Sequence, residues 1–325
     1  MDIIRVKNLV KRYEFYRKEP GLWGTLKSFF YRKKNFADAV QNISFTIKEG
    51  EMVGFLGPNG AGKTTTLKML SGILYPTSGS VEVLGFVPYD RKKDFKKQFS
   101  IVMGQKDQLV RMLPAMDNFL LFKEFYEAPE GEFEETLQEL IELLGVKDFL
   151  TVPVRKLSLG QRMRCELVAA LLHNPKVLFL DEPTIGLDVV AQKNIRDFIR
   201  KYNQKKKTTI ILTSHYMDDI KELCERVIII NFGKIIYDGK LADLIARYAK
   251  EKIIKITATD NISRKALERF GVVEDYQGIR ALIRVSRDKV KTVAAEIISS
   301  DLPVDDIFIE DMPISDIVRA IFEGK

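Results

Sequence analysis

The 325 residues contain only two cysteines, two histidines and one tryptophan. Two thiols, Cys165 and Cys224, cannot build a disulfide framework and suit a reducing compartment. Both fall in helix-like stretches and read as small buried residues. No run of about 18 apolar residues exists, so no membrane-spanning helix is expected. The opening MDIIRVKNLVKRY also lacks the apolar core of a signal peptide. Nor is there a sustained heptad pattern, which argues against a long coiled coil.

Charge is present in excess of one sign: the net is +7 and the pI about 9.1. That balance is compatible with nucleic acid, an anionic membrane surface or a merely basic exterior. It is concentrated in two places. Residues 16–36, YRKEPGLWGTLKSFFYRKKNF, mix Lys and Arg with Leu22, Trp23, Leu26, Phe29, Phe30 and Tyr31; RKKDFKK covers 91–97. A chain of this length has room for two domains.

Apolar periodicity places short strands at 3–8 and 42–47, then a compact strand, EMVGFLG, feeding a helix, KTTTLKMLSGIL. SVEVLG and FSIVMG read as further strands, and helical spacing dominates from about 107 to 173. KVLFLD (176–181) and TTIILTS (208–214) are near-continuous apolar runs, as expected of strands buried on both faces, with a helix at 191–203 between them. RVIIINFGKIIYDG reads as a closing hairpin turned at 231–234. Past residue 240 the pattern becomes a small α+β unit, 241–325, with no catalytic cluster; regulatory or dimer-supporting contact and plain structural extension both fit it. The fold class expected is α/β, a mixed sheet with a helical subdomain, followed by this accessory domain.

GPNGAGKT lies between a strand and a helix, the setting of a phosphate-binding loop. Gly57, Gly60 and Gly62 let the backbone of Pro58, Asn59 and Ala61 curl around phosphate oxygens. Lys63 can then reach β- and γ-phosphates, and the Thr64 hydroxyl can ligate Mg²⁺, with Thr65 beside it. The competing reading, a glycine-rich turn that binds nothing, does not account for the complete pattern.

VLFLDEPT puts Asp181 at the carboxyl end of a buried strand, where open α/β sheets bind ligands. Asp181 is expected to hold Mg²⁺ through water, and Glu182 to orient and deprotonate an attacking water. His215 follows a second buried strand and should reach the same edge, whereas His173 reads as a capping or surface residue. KLSLGQRMR is a second anion-binding signal: Ser158, Gly160 and Gln161 stand where a helix begins, and helix N-termini favour negative charge.

Together these residues resemble the nucleotide-binding subunit of an ATP-binding cassette transporter, over roughly residues 1–240. The order carries the resemblance: phosphate loop, LSLGQ, LFLDEP, GLD, TSH. It implies ATP and Mg²⁺ as cofactors, with Glu182, His215, Lys63 and Gln105 acting in hydrolysis. Gln105 in VMGQKDQL corresponds to the family's glutamine that senses Mg²⁺ and the γ-phosphate; Gln108 matches less well. Tyr13 resembles the aromatic that stacks on adenine, with Tyr16 the alternative. Leu157, Ser158, Leu159, Gly160 and Gln161 match the signature that binds ATP held by the opposite subunit, and Asp188 matches the loop that crosses between subunits. Leu159 replaces the usual glycine, a bulk expected to weaken or slow closure.

The resemblance implies a head-to-tail homodimer driving a separate integral membrane permease from the cytoplasmic face, and it looks most like exporters of the ABC-2 type. The insertion at about 14–37 departs from the common pattern; it suits an anionic membrane surface or a permease groove, or forms a solvated hairpin. The main rival is a soluble cassette ATPase working on nucleic acid or ribosomes. One cassette and no coiled coil argue against it, so no nucleic acid is expected. A non-hydrolytic clamp is disfavoured by Glu182 and His215.

Overall fold

The computed structural model describes residues 1–16, 34–104, 106–248 and 250–323. It divides into two compact units, Met1–Gly239 and Lys240–Lys325. Among the described residues, no helix is long and apolar enough to cross a membrane.

The first unit opens with β1 (Asp2–Tyr16) and β2 (Lys34–Lys48), an antiparallel pair. After β3 (Met52–Leu56) come α1 (Lys63–Leu70) and β4 (Ser78–Val83), which pairs with β1 to give a sheet of order β2-β1-β4. A short α2 (Lys93–Lys96) leads to β5 (Phe99–Met103), and α3 (Ala115–Tyr126), α4 (Glu130–Leu144) and α5 (Leu159–Leu171) form the helical region. The chain then alternates β6 (Val177–Asp181), α6 (Val189–Lys206), β7 (Thr209–Thr213) and α7 (Met217–Leu223) before β8 (Arg226–Asn231) and β9 (Lys234–Lys240).

The second sheet runs β5-β6-β7-β3-β8-β9, parallel from β5 through β8. Every residue of β6 and β7 is buried, which is why their sequences lack a polar alternation. Phe232 and Gly233 turn the last hairpin with φ of 45° and 76°, both in the left-handed region that a two-residue turn needs.

The second unit contains α8 (Leu241–Tyr248), β10 (Glu251–Ala258), α9 (Arg264–Glu268), β11 (Val272–Tyr276), β12 (Arg280–Ser286), α10 (Val290–Ile298), β13 (Val304–Asp311) and α11 (Ile314–Glu323). Its antiparallel sheet, ordered β11-β12-β10-β13, buries Ile254, Ile256 and Ile283 with Leu267 and Ile297 in a core of its own.

Two expectations from the sequence need correction. The strands expected at 3–8 and 42–47 are each 15 residues long. Pairing continues past the last buried positions, Leu9 and Val40, through Arg12↔Asp38 and Tyr13↔Ala37 to Tyr16↔Lys34. Those outer pairs are solvent-exposed, so apolar alternation ends before the ladder does; Arg12–Asp38 and Lys34–Glu14 ion pairs span it instead. Residues 17–33 of the basic, aromatic insertion lie outside the described residues. The second basic run is less free than its composition suggests: Lys93 and Lys97 both hold Glu127, and these contacts lower its carboxyl to about 2.

His173 is not a surface residue. Its ring stacks on Tyr126 at 3.6 Å between centroids, and Nε2 donates to the Phe99 carbonyl at 3.2 Å. Burial pushes its pKa down to about 4, below the usual histidine range. The unfolded chain therefore takes up a proton that the folded chain refuses as pH falls from about 6.5 towards 4, and stability drops over that window. Between pH 7 and pH 5 we expect about 2 kcal/mol of loss from this group. Urea unfolding at both pH values checks it: His173→Phe should flatten the dependence, and an unchanged slope would refute the assignment. Cys165 and Cys224 are buried and free, with both thiols pushed well up by desolvation.

Candidate functional site

β3 ends at the loop of residues 57–62, and α1 begins at Lys63. Its glycines are set by space as well as torsion. A Cβ on Gly57 would come 2.3 Å from the Ile230 carbonyl oxygen, and one on Gly62 (φ 109°) 2.4 Å from that of Ala39. Lys63 is buried, and its Nζ donates to the Gly57 and Pro58 carbonyls at 2.6 and 3.1 Å. Burial lowers its pKa, while the charges of Glu182 and Asp181 pull the other way, which places those carboxylates within electrostatic reach of the loop. Thr66 donates to the Gly62 carbonyl and stitches the loop to the helix.

Two strands over from β3, β6 delivers Asp181 and Glu182 to the same sheet edge. Between them, β7 ends in Thr213, the first residue of TSH, to which the sequence reading gave no role of its own. Its hydroxyl donates to Asp181 Oδ1 at 2.7 Å, while its carbonyl accepts the Glu182 N–H at 3.0 Å. Glu182 has φ 58°, a left-handed conformation that costs a non-glycine residue about 1–3 kcal/mol and is held by its surroundings. Part of that hold is Gly104, whose N–H donates to the Asp181 carbonyl at 2.8 Å.

His215 Nε2 lies 2.7 Å from Glu182 Oε1. The loops bearing these two residues are tied together by Asp219, which is 0% exposed and accepts from Thr184, Ser214 and Arg196. Nothing in MDDI distinguishes this aspartate from an ordinary first-turn acid, so its role is invisible in the sequence. Gln105 lies outside the described residues. Gln108 is turned inward, donating to the Ile101 carbonyl.

For a metal, the edge offers the Thr64 hydroxyl and the Asp181 carboxylate; among the described residues no cluster of three or more His, Cys, Asp or Glu exists. Such sparse, hard oxygen ligation suits Mg²⁺, which keeps several waters and takes other ligands from substrate phosphates. Tyr13 is 40% exposed on β1, opposite Ala37, with Lys11 Nζ 5.3 Å from its ring centre.

The other anion-binding signal forms a separate site. Ser158 caps α5 in a reciprocal capping box: its hydroxyl accepts the Gln161 N–H, and Gln161 Oε1 accepts the Ser158 N–H at 2.9 Å. Capping thus explains the residue choice at 158 and 161 locally. Asp188 likewise caps α6, accepting from Ala191 N–H at 2.8 Å. Both helix N-termini line one cavity of about 310 Å³ with Leu159, Gly160 and Gly186. A Cβ on Gly186 (φ 71°) would meet Leu159 Cδ2 at 2.9 Å, so this glycine makes room for the larger residue at 159.

Residues 40–185 match the family described as ABC transporter, and 250–310 match the EvrA-like ABC transporter C-terminal domain. The ABC transporter ATP-binding protein NatA of Bacillus subtilis (strain 168) is 35% identical over 66% of this chain and 87% of its own length. The chain belongs to the ABC transporter ATP-binding proteins. It is therefore an ATPase, and ATP is its nucleotide. Nod factor export ATP-binding protein I of Sinorhizobium fredii (strain NBRC 101917 / NGR234) is 36% identical over 69% of this chain and 65% of its own length. A dimeric ATP-binding cassette solved in a post-hydrolysis state with ADP and Pi matches with a TM-score of 0.60 and 26% identity, over 73% of this chain and 98% of that one.

Proposed function

We propose that this ABC ATPase is the motor of an exporter of the ABC-2 type, working as a head-to-tail pair of copies on a separate integral membrane permease at the cytoplasmic face of the membrane. One observation carries the pairing. Lys63, Asp181, Glu182 and His215 gather at one sheet edge, whereas the cavity at the signature is lined by none of them. Each chain thus offers two unlike half-sites, and a second copy is what completes both.

In this reading the loop 57–65 cradles the phosphates, with Lys63 on the β/γ oxygens and Tyr13 against the base. Thr64, Asp181 and Gln105 would hold Mg²⁺, which would neutralise phosphate charge. Glu182, aimed by its contact with His215, takes the proton of the attacking water. Leu157, Ser158, Leu159, Gly160 and Gln161, with Asp188, present two helix N-termini to the γ-phosphate held by the other copy. Hydrolysis then reopens the pair.

A groove of about 680 Å³ between β5, α2 and the end of α3 supports the permease partner. Phe125 there is 68% exposed, and Arg91, Lys93 and Lys96 sit on its rim, a setting for an apolar and acidic cytoplasmic segment of that partner. Export is supported by the Nod factor relative. Purifying the tagged chain from gently solubilised membranes tests the whole reading. A polytopic membrane protein at near-equal stoichiometry is expected; ribosomal proteins or nucleic acid in its place, with the chain absent from membranes, would overturn it.

A further inference from the structure

Glu166 sits on α5, two turns beyond the signature, and is 4% exposed. A buried carboxylate is costly unless its hydrogen bonds are made. Here Oε1 accepts the Gln108 N–H at 2.9 Å and the Leu109 N–H at 3.3 Å, while Oε2 has no partner among the described residues. Burial raises this carboxyl to about 7, against the lowering effect of those two N–H groups. An apolar side chain would fill the position without that cost, but would leave both N–H groups unpaired.

One turn nearer the signature, Arg162 Nε lies 3.0 Å from Asp107 Oδ1. The Arg162 N–H also donates to the Ser158 carbonyl within the helix's first turn. The segment leaving β5 is thus pinned to α5 at three consecutive residues, 107, 108 and 109. At its other end the same segment is pinned to the hydrolytic edge: Met103 pairs with Asp181, and Gly104 donates to the Asp181 carbonyl. A short stretch of backbone therefore joins the Asp181–Glu182 strand end to the helix that begins with LSLGQ.

We propose that Glu166, seconded by the Asp107–Arg162 pair, is a positioning residue that holds the signature helix in register with the Asp181–Glu182 strand end of its own chain. The inference rests on the paired-copy reading above. A shift at one nucleotide is then passed to the signature that completes the other, and the two sites fire cooperatively. Glu166 touches neither substrate nor metal. Its effect runs through the backbone of residues 107–109.

The test uses the full chain and three variants. Glu166→Leu removes the acceptor; Glu166→Gln keeps an amide oxygen to receive the same N–H groups; Arg162→Met breaks the second tie at a less buried position. With Glu166→Leu we expect kcat for ATP to fall roughly 10- to 100-fold and the Hill coefficient to fall towards 1. Affinity of the single chain for a fluorescent ATP analogue should stay within about twofold. Glu166→Gln should recover most of the turnover and the cooperativity.

Wild-type kcat and Hill coefficient in a folded Glu166→Leu chain would overturn the proposal, as would a loss that parallels weakened analogue binding. If Glu166→Leu does not fold, Arg162→Met decides on the same readouts: lowered cooperativity with intact binding supports the proposal, and no change overturns it. A Glu182→Gln chain that does not pair with ATP in light scattering would instead defeat the paired-copy reading, and this inference with it. Pairing there, with unaltered turnover in Glu166→Leu, would defeat this inference alone.

Discussion

Replacing Glu182 with glutamine is expected to lower ATP turnover by roughly 10²–10⁴-fold, the usual worth of a positioned general base, while nucleotide binding persists. The substitution is nearly isosteric, and a glutamine oxygen can still meet His215 Nε2, which lies 2.7 Å from Oε1 in the native chain. The backbone features that set this residue are untouched: its N–H on the Thr213 carbonyl and its left-handed φ of 58°. What disappears is the ability to take a proton from water. Steady-state phosphate release set against binding of a fluorescent ATP analogue separates the two effects. Turnover within threefold of wild type would remove Glu182 from the role of base.

Gly104→Ala should do comparable damage by a different route. A Cβ there would come 2.1 Å from the Glu182 carbonyl oxygen and 3.0 Å from its carbonyl carbon. Both are backbone atoms, so no side chain can swing aside to relieve the clash. Either β5 moves off β6, breaking the Gly104 N–H bond to the Asp181 carbonyl, or the Glu182 peptide rotates. Overpacking of this sort costs about 1–3 kcal/mol or more, and a misplaced catalytic geometry adds on the order of 10²-fold in rate. Melting and turnover are both expected to fall; a variant normal in both would show that the strand end accommodates a methyl group.

Function was most legible where it is written in consecutive residues. The phosphate loop joins a buried strand to a helix, and LFLDEP runs from a buried strand into a loop, so composition and position could be read together. The continuous apolar runs of β6 and β7 likewise announced strands covered on both faces. Contacts between distant segments were not legible. Thr213 supports both Asp181 and Glu182 across a strand pair, and Asp219 gathers three donors from three separate elements. In the one-dimensional pattern Asp219 is an ordinary polar residue, and Thr213, although it opens TSH, gives no sign of the two carboxylates it supports. Ser158 and Gln161 show the opposite case, where a local capping box and an anion-binding reading draw on the same two side chains.

The outer arms of the β1–β2 hairpin bury nothing beyond Leu9 and Val40, yet they keep their register out to Tyr16 and Lys34. At about 3.3 Å per residue, the six residues from Val40 to Lys34 carry the chain roughly 20 Å outward from the core. The outermost residues, 14–16 and 34–36, therefore add no buried core contact to the fold of the ATPase. The tip beyond Tyr13 behaves as a portable graft, exchangeable without opening the core, while Tyr13 and Ala39 stay with the cassette behind them.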